Sequence, residues 1–151
     1  MTYHLDYLLG LPGARVQTCQ DLEGAMTFRL EIVAAGMSCP HCQNYTDDLH
    51  QTRPILVRDL SAFGRKVYLQ VPRRQFYCAP CQRYATEPLE FIDWQRRHTR
   101  RYELQIYERV QHSSLEQIGR EEELSSDEVK GIFDHISQQK KRVGAGCSHR
   151  H

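Results

Sequence analysis

Two short cysteine pairs constrain this chain more than any other sequence feature. Cys39 and Cys42 form one Cys-x-x-Cys pair, and Cys78 and Cys81 form a second pair after residues 43–77. Each pair turns two thiolates towards one point, so two pairs together make the tetrahedral four-sulfur site that structural zinc prefers. The spacing predicts a zinc ribbon with one structural Zn²⁺. Two disulfides or a thioredoxin-like redox pair explain less well why matched pairs bracket a strand-rich insert.

The length of the chain limits its core. Its 151 residues suffice for one ordinary domain or two small ones, and a core divided between two halves is thin. A structural metal supplies the stability that such a core lacks. The chain has no apolar run long enough to cross a membrane and no secretory signal at its start. We therefore expect a cytoplasmic protein with reduced cysteines and no membrane partner.

Charge is distributed unevenly along the chain. Residues 53–101 hold eleven basic and four acidic residues, a net charge of +7, whereas the whole chain carries +1. This asymmetry favours an anion-binding face, most simply for the DNA backbone, over an ordinary solvated surface. The predicted DNA contacts in this segment are Arg73, Arg74, Arg96, Arg97, Arg100 and Arg101.

Period-two hydrophobicity predicts strands before and between the cysteine pairs. Val67, Leu69 and Val71 are expected to face inward, and Pro72 is expected to mark a bulge or the end of that strand. Cys19 is interpreted as a small, buried or half-buried side chain. A short helix over residues 3–10, strands over 14–19, 25–34, 54–60 and 66–71, and a turn over 62–64 complete this prediction.

Helical periodicity begins near residue 99 and predicts three helices. The second follows the N-cap Ser114, and a three-residue link leads to a third that begins near Ser126, with small Gly119 near the crossing. This arrangement indicates a helix-turn-helix. The acidic start of the third helix is unfavourable for extensive base contacts by this helix, so the arginines of residues 96–101 become the more important predicted contacts. Ser126, Lys130, Lys140 and Lys141 are the predicted DNA contacts on this helix.

The predicted fold class is α+β, with a small β-rich zinc ribbon followed by a trihelical helix-turn-helix domain. The predicted boundaries are 1–35 for an N-terminal helix and β-hairpin packed on the ribbon, 36–95 for the ribbon, 96–142 for the helical domain with its basic entry segment, and 143–151 for a disordered tail. Cys147, His149 and His151 in that tail have the chemistry of metal ligands, but a frayed terminus is the favoured interpretation.

The order of these parts resembles the N-terminal region of insertion-sequence transposases of the ISL3 family, over about residues 3–139. The resemblance implies a zinc ribbon and a helix-turn-helix that recognise the terminal inverted repeats of the element. Family members continue into an RNase H-like catalytic domain for which this chain has no room, so we expect a truncated or split transposase without catalytic activity. The matching stretches are Cys39–Cys42, Arg58–Leu60, Val67–Leu69, Arg73–Phe76, Cys78–Cys81, Arg96–Arg101 and Ser114–Ile136.

Double-stranded DNA at the element ends is the expected partner, and a catalytic transposase subunit or a second copy of the chain is a further candidate. Two other functions remain open. A protein-interaction or regulatory module would use the same domains without DNA. A rubredoxin-like iron carrier would use the same four cysteines, although Gln43 and Gln82 stand where a glycine is expected after each pair.

Overall fold

The computed structural model describes the backbone of residues 2–148 and the side chains of residues 5–144. The chain divides into two compact units, the first ending at Thr99 and the second beginning at Arg100. The predicted α+β class is confirmed, because strands dominate the first unit and helices form the second. The first unit contains α1 (Thr2–Leu9), β1 (Ala14–Leu22), β2 (Ala25–Ile32), β3 (Met37–Ser38), β4 (Tyr45–Thr46), β5 (Leu49–Ala62), β6 (Arg65–Cys78) and β7 (Arg83–Thr86).

Two tight turns set the register of the first unit. Glu23 and Gly24 join β1 to β2 with φ angles of 52° and 80°, and Phe63 and Gly64 join β5 to β6 with 53° and 73°. Positive φ at both central residues is the type I′ geometry, whose twist matches that of the flanking antiparallel strands. The β5–β6 hairpin therefore closes at the turn that the sequence predicts over residues 62–64.

One sheet carries most of the first unit. Its strands run in the order β1-β2-β6-β5, β2 is parallel to β6, and β7 pairs with the far end of β6. The N-terminal hairpin is thus part of the same sheet as the ribbon hairpin. Val67, Leu69 and Val71 face the core as predicted, together with Phe28 and Val57. A separate small cluster of Met37, Phe76 and Ala85 lies at the cysteine end.

Pro72 does not end its strand, which corrects the sequence prediction. Strand β6 continues through it to Cys78, and Pro72 faces Pro54 on β5. Pairing of β6 with β2 has already ended at Gln70. A proline lacks the N–H that a ladder requires, but the register makes Pro54 and Pro72 a non-hydrogen-bonded pair, because Arg58, four residues along β5, directs its N–H and carbonyl away from β6. The strand therefore loses no ladder hydrogen bond.

Cys19 is exposed, not buried or half-buried as expected. It lies on the edge strand β1, whose register shifts between Val16 and Thr18. Val16 is the only residue of β1 that is buried. The bulge brings Cys19 opposite the buried Phe28, but β1 is the edge of the sheet and has a neighbouring strand on one side only, which leaves the side chain exposed.

The second unit consists of α2 (Arg100–Val110), α3 (Leu115–Glu122) and α4 (Ser126–Ser148). Each helix contacts the other two. Helix α4 is six residues longer than the sequence suggested, so the tail predicted to be disordered from residue 143 is helical as far as Ser148. Residues 149–151 and the side chain of Cys147 lie outside the described part of the chain. Among the side chains described in the second unit, the fully buried apolar ones are Tyr102, Ile106, Ile118, Val129, Ile132 and Ile136.

The unit boundary lies four residues beyond the predicted start of the helical domain at 96, because residues 97–99 bond to β5. The Arg58 N–H donates to the Arg97 carbonyl at 3.0 Å, and the Thr99 N–H donates to the Arg58 carbonyl at 2.9 Å.

Within the described residues, no helix combines the length and apolar character needed to cross a membrane.

Candidate metal centre and nucleic-acid interface

Four cysteine sulfurs meet at one end of the first unit. The first cysteine loop, residues 39–42, connects β3 to β4, and the second, residues 78–81, connects β6 to β7. The Sγ atoms of Cys39 and Cys81 are 3.6 Å apart, those of Cys42 and Cys78 are 3.4 Å apart, and all four lie within 4.8 Å of one another.

These distances fit a single four-coordinate metal ion. A tetrahedron with metal–sulfur bonds of about 2.3 Å has sulfur–sulfur edges of about 3.8 Å. A disulfide requires about 2.05 Å, which neither close pair approaches. The four sulfurs also alternate between the two loops, so neither loop forms an isolated redox pair. The arrangement supports the metal interpretation and leaves the identity of the metal open.

The two loops end in the same backbone conformation but close with different hydrogen bonds. Gln43 and Gln82, which follow the last cysteine of each loop, have φ angles of 63° and 53°. The Gln43 N–H donates to the Cys39 carbonyl at 2.8 Å, and the Gln82 N–H donates to the Ala79 carbonyl at 3.3 Å. Both glutamines adopt the left-handed conformation in which glycine is favoured. The absence of glycine at these positions therefore does not discriminate zinc from iron.

The four thiols do not ionise equally without a cation between them. Burial, the largest influence on Cys39, raises its pKa, but backbone N–H groups of Cys42 and His41 and the neighbouring thiols bring the pKa to about 7. Burial, followed by the thiols of Cys39, Cys78 and Cys42, raises the pKa of Cys81 to about 12. Like charges in one site oppose each other, so holding four thiolates together requires a positive ion.

Two histidines near the cysteine pairs in the sequence, His41 and His50, lie outside this cluster. Arg83 donates from Nη1 to Nδ1 of His41 at 3.2 Å, since a guanidinium has no acceptor. The His50 ring lies 4.5 Å from the ring of Tyr84, measured between centroids. Neither histidine belongs to the group of four sulfurs.

Four arginines surround a groove of about 460 Å³ in the first unit, which we call the arginine groove. Arg53 and Arg73 are direct cross-strand partners on β5 and β6, and Arg96 and Arg97 approach from the connector, residues 94–99. Among the described residues that line the groove, none is acidic. Like charges directly opposite each other on two strands destabilise a hairpin, so this placement favours an anion in the groove.

Sequence reasoning counted Arg53 as basic but missed it as a site residue. The signal was available, because a hairpin centred on the predicted 62–64 turn places residue 53 opposite residue 73. Asp59 and Thr99 were also missed. The Asp59 carboxylate accepts from the buried Thr99 hydroxyl at 2.7 Å and fixes the end of the connector to β5. This contact positions the neighbouring Arg97.

Arg74 has a different role from the predicted phosphate contact. Its Nε and Nη2 donate to the two carboxylate oxygens of Glu87 at 2.8 and 2.6 Å, and Nη2 also donates to the Ala34 carbonyl at 2.7 Å. Its side chain is only 14% exposed. A bidentate pair of this kind satisfies the guanidinium within the fold. We therefore exclude Arg74 from the proposed DNA contacts.

The predicted basic junction is divided between the two units. Arg96 and Arg97 belong to the first, whereas exposed Arg100 and half-buried Arg101 open helix α2 of the second. Along α4 the predicted contacts are exposed: Ser126, Lys130, Lys140 and Lys141. The ammonium group of Lys140 lies 5.2 Å from the centre of the Tyr107 ring.

The turn between α3 and α4 has specific backbone requirements. Helix α3 ends at Glu123, whose φ is 58°, and the Leu124 N–H donates to the Gly119 carbonyl at 2.8 Å. A Cβ on Gly119 would lie 2.5 Å from the Leu124 carbonyl oxygen, so only glycine fits. Ser125 and Glu128 cap α4 reciprocally, each side chain accepting from the other's backbone N–H, at 3.1 and 3.3 Å. The Glu128 carboxylate thus serves the helix start.

Comparison with known families matches both units. Residues 35–81 match a family model described as the zinc-finger of transposase IS204/IS1001/IS1096/IS1165, and residues 87–137 match the helix-turn-helix domain of transposase family ISL3. The transposase for insertion sequence element IS1001 of Bordetella parapertussis is 30% identical over 118 residues. The match covers 78% of this chain and 29% of that protein. No solved structure matches.

Proposed function

By its zinc ribbon and its helix-turn-helix this chain belongs to the ISL3 family of transposases, and we propose that it binds the duplex ends of an insertion sequence. The terminal inverted repeats are the proposed target, and one zinc ion held by the four cysteines is the proposed cofactor. Zinc in such a site acts by joining the two loops, because thiolate ligation becomes folding energy where the free site is unformed.

The arginine groove is the observation that carries this proposal. It concentrates four guanidinium groups in one concave surface, and guanidinium forks match phosphate oxygens. Two come from paired strands and two from a connector fixed to β5, so their spacing is set before any ligand arrives. Phosphate contacts of this type position a protein on DNA without reading sequence.

Sequence reading is assigned to the helix-turn-helix. In this motif the second helix lies in the major groove, with residues near its N-terminus at the base edges. Exposed Ser126 and Lys130 occupy that part of α4, and Lys140 and Lys141 lie further along it. Arg100 and Arg101 at the start of α2 are the remaining proposed phosphate contacts. Glu128 is occupied by the helix cap, so the proposal assigns it no base.

The two matched regions are DNA-binding types of domain, and strand cleavage is assigned to no residue of this chain. Because the chain spans 29% of the length of the IS1001 transposase, the reaction of a whole transposase enters only as a proposal. A catalytic transposase subunit or a second copy of this chain is the proposed protein partner.

Salt-dependent binding tests the groove. Labelled duplexes carrying the element ends, and shuffled duplexes of equal length, are titrated by fluorescence anisotropy over a range of salt concentrations. Each lost phosphate contact lowers the slope of log K against log salt by about 0.9. We expect Arg53→Gln and Arg97→Gln each to show that loss on both duplexes, because phosphate contacts ignore sequence.

The matched control is Arg65→Gln, which removes the same charge from an exposed arginine paired with Asp21 at 2.7 Å. It should leave the slope unchanged. Lys130→Gln should instead reduce the preference for element ends over shuffled DNA. If the two groove variants bind as the unmodified chain does, the duplex-binding proposal for the groove is wrong. That result would favour the alternative function, a protein-interaction or regulatory module. Metal analysis of the same preparations identifies the ion, since iron in such a site absorbs visible light.

A further inference from the structure

An apolar pocket of about 520 Å³ lies beside the first cysteine loop, outside the arginine groove. Its volume is typical of pockets that bind small organic groups. Met37, Pro40 and Pro88 form part of its walls, with two aromatic rings, those of Tyr84 and Trp94. Tyr84 is 52% exposed and Trp94 is 57% exposed. Two large aromatic side chains left open to solvent in one concavity indicate a binding surface.

The Tyr84 ring is held in place by its neighbours. Its centroid lies 5.0 Å from that of Tyr77 and 4.5 Å from that of His50, both in tilted contacts. Tyr84 also follows the second cysteine loop closely, and Pro40 lies within the first. The metal site therefore fixes two walls of the pocket, and the aromatic surface exists before a ligand arrives.

Trp94 connects this pocket to the arginine groove. It lines the pocket, and the Arg73 guanidinium lies 5.6 Å from the centre of its ring while also lining the groove. Arg83, bonded to His41 of the pocket wall, adds a second positive charge at this end. A ligand that spans both features needs an anionic group and a flat ring a short distance apart. A nucleotide unit of a DNA strand has both.

We propose that this pocket binds an unpaired nucleobase, stacked on Trp94 and Tyr84, while Arg73 and the arginine groove hold the adjoining phosphate. A paired base cannot enter, since its faces are covered in the duplex stack. Stacking on aromatic side chains accepts any base, because every base has a π-face. The phosphate half of this inference rests on the proposed DNA binding, whereas the base half rests on the pocket alone.

Trp94 is the only tryptophan of the chain, so its fluorescence reports on the pocket directly. The metal-loaded full chain is titrated with a short oligothymidylate and with an abasic oligonucleotide that has the same number of phosphates. We expect the oligothymidylate to quench Trp94, because a base stacks on the indole, and the abasic strand to leave the emission nearly unchanged. Equal quenching by both strands would overturn the proposal.

Variants read by anisotropy of the labelled oligothymidylate provide the second measurement. Trp94→Leu and Tyr84→Ala should each weaken binding by about 5- to 150-fold, the effect of one lost base–aromatic stack. Trp94→Phe should restore most of it, because the ring is kept. Tyr7→Ala is the matched control, an exposed aromatic residue of α1 outside the pocket. Retained metal content shows that each variant is folded, and unchanged affinity in Trp94→Leu contradicts the proposal.

Fully paired element-end duplex, titrated in parallel, separates this inference from the proposed function. If the duplex binds normally but neither quenching nor the Trp94 variant shows a base effect, the pocket inference alone fails. If oligothymidylate stacks on Trp94 but element ends bind no better than shuffled duplex, the inverted-repeat proposal fails and the pocket remains.

Discussion

The two units of this chain stabilise small structures in different ways. At the cysteine end of the first unit, Met37, Phe76 and Ala85 form a small buried apolar cluster, and the four sulfurs lie beside it. Among its described residues, the second unit has six fully buried apolar side chains drawn from all three of its helices. The difference shows that metal ligation replaces a core where two loops offer little apolar surface, whereas amphipathic helices need no such help.

Loss of one metal ligand should have the largest effect and should be confined to one unit. Cys78→Ser removes a buried sulfur, and structural zinc contributes about 10–16 kcal/mol of apparent binding energy, as much as the whole stability of a small domain. We expect amides of the cysteine end, residues 37–48 and 76–86, to lose protection from hydrogen exchange, while those of α3 and α4 keep it. Cys19→Ser, at an exposed cysteine outside the cluster, is the control. Full protection in Cys78→Ser would remove the contrast between the units.

Substitutions at two glycines of the second unit should change the free energy of unfolding by an intermediate amount and test the turn between α3 and α4. Gly119→Ala places a Cβ 2.5 Å from the Leu124 carbonyl oxygen and should destabilise by about 1–3 kcal/mol. Gly131→Ala, on an exposed position of α4 with nothing within 4 Å, should stabilise by about 0.5–1 kcal/mol. Urea unfolding followed by far-ultraviolet circular dichroism measures both. Changes of the same sign would show that the turn is not packed as described.

The smallest changes in stability are expected at one position in each unit. Gln43 and Glu123 have φ angles of 63° and 58°, a conformation that costs most side chains about 1 kcal/mol. Replacing either with glycine should remove this strain and raise the stability. The gain should be at most about 1 kcal/mol, because glycine also gives the unfolded chain more conformational entropy, which opposes folding. Gln138→Gly in helix α4 should instead lose about 1 kcal/mol. Thermal unfolding distinguishes these outcomes, and a loss at position 43 would mean that its side chain has a role of its own.

Much of the fold could be predicted because its signals are local. The period-two pattern identified the inward face of β6, and the helix caps identified the start of α3. Errors arose where a distant partner overrides a local rule. Pro72 continues its strand because the register of β5 and β6 leaves its nitrogen outside the ladder, and Cys19 is exposed because β1 is the edge strand of the sheet. The register of two paired strands and the position of a strand in its sheet both depend on residues that are distant in sequence.

The candidate site divides in the same way. The sequence alone determined the four candidate metal ligands, since a Cys-x-x-Cys loop brings its own two sulfurs together and thiolate chemistry selects the ligand set. Only the tertiary structure decided which arginines are available. Glu87 engages Arg74 across thirteen residues, whereas strand pairing brings Arg53 opposite Arg73. An arginine's availability depends on which charge lies beside it in space, and long-range pairing sets that neighbour, not spacing along the chain.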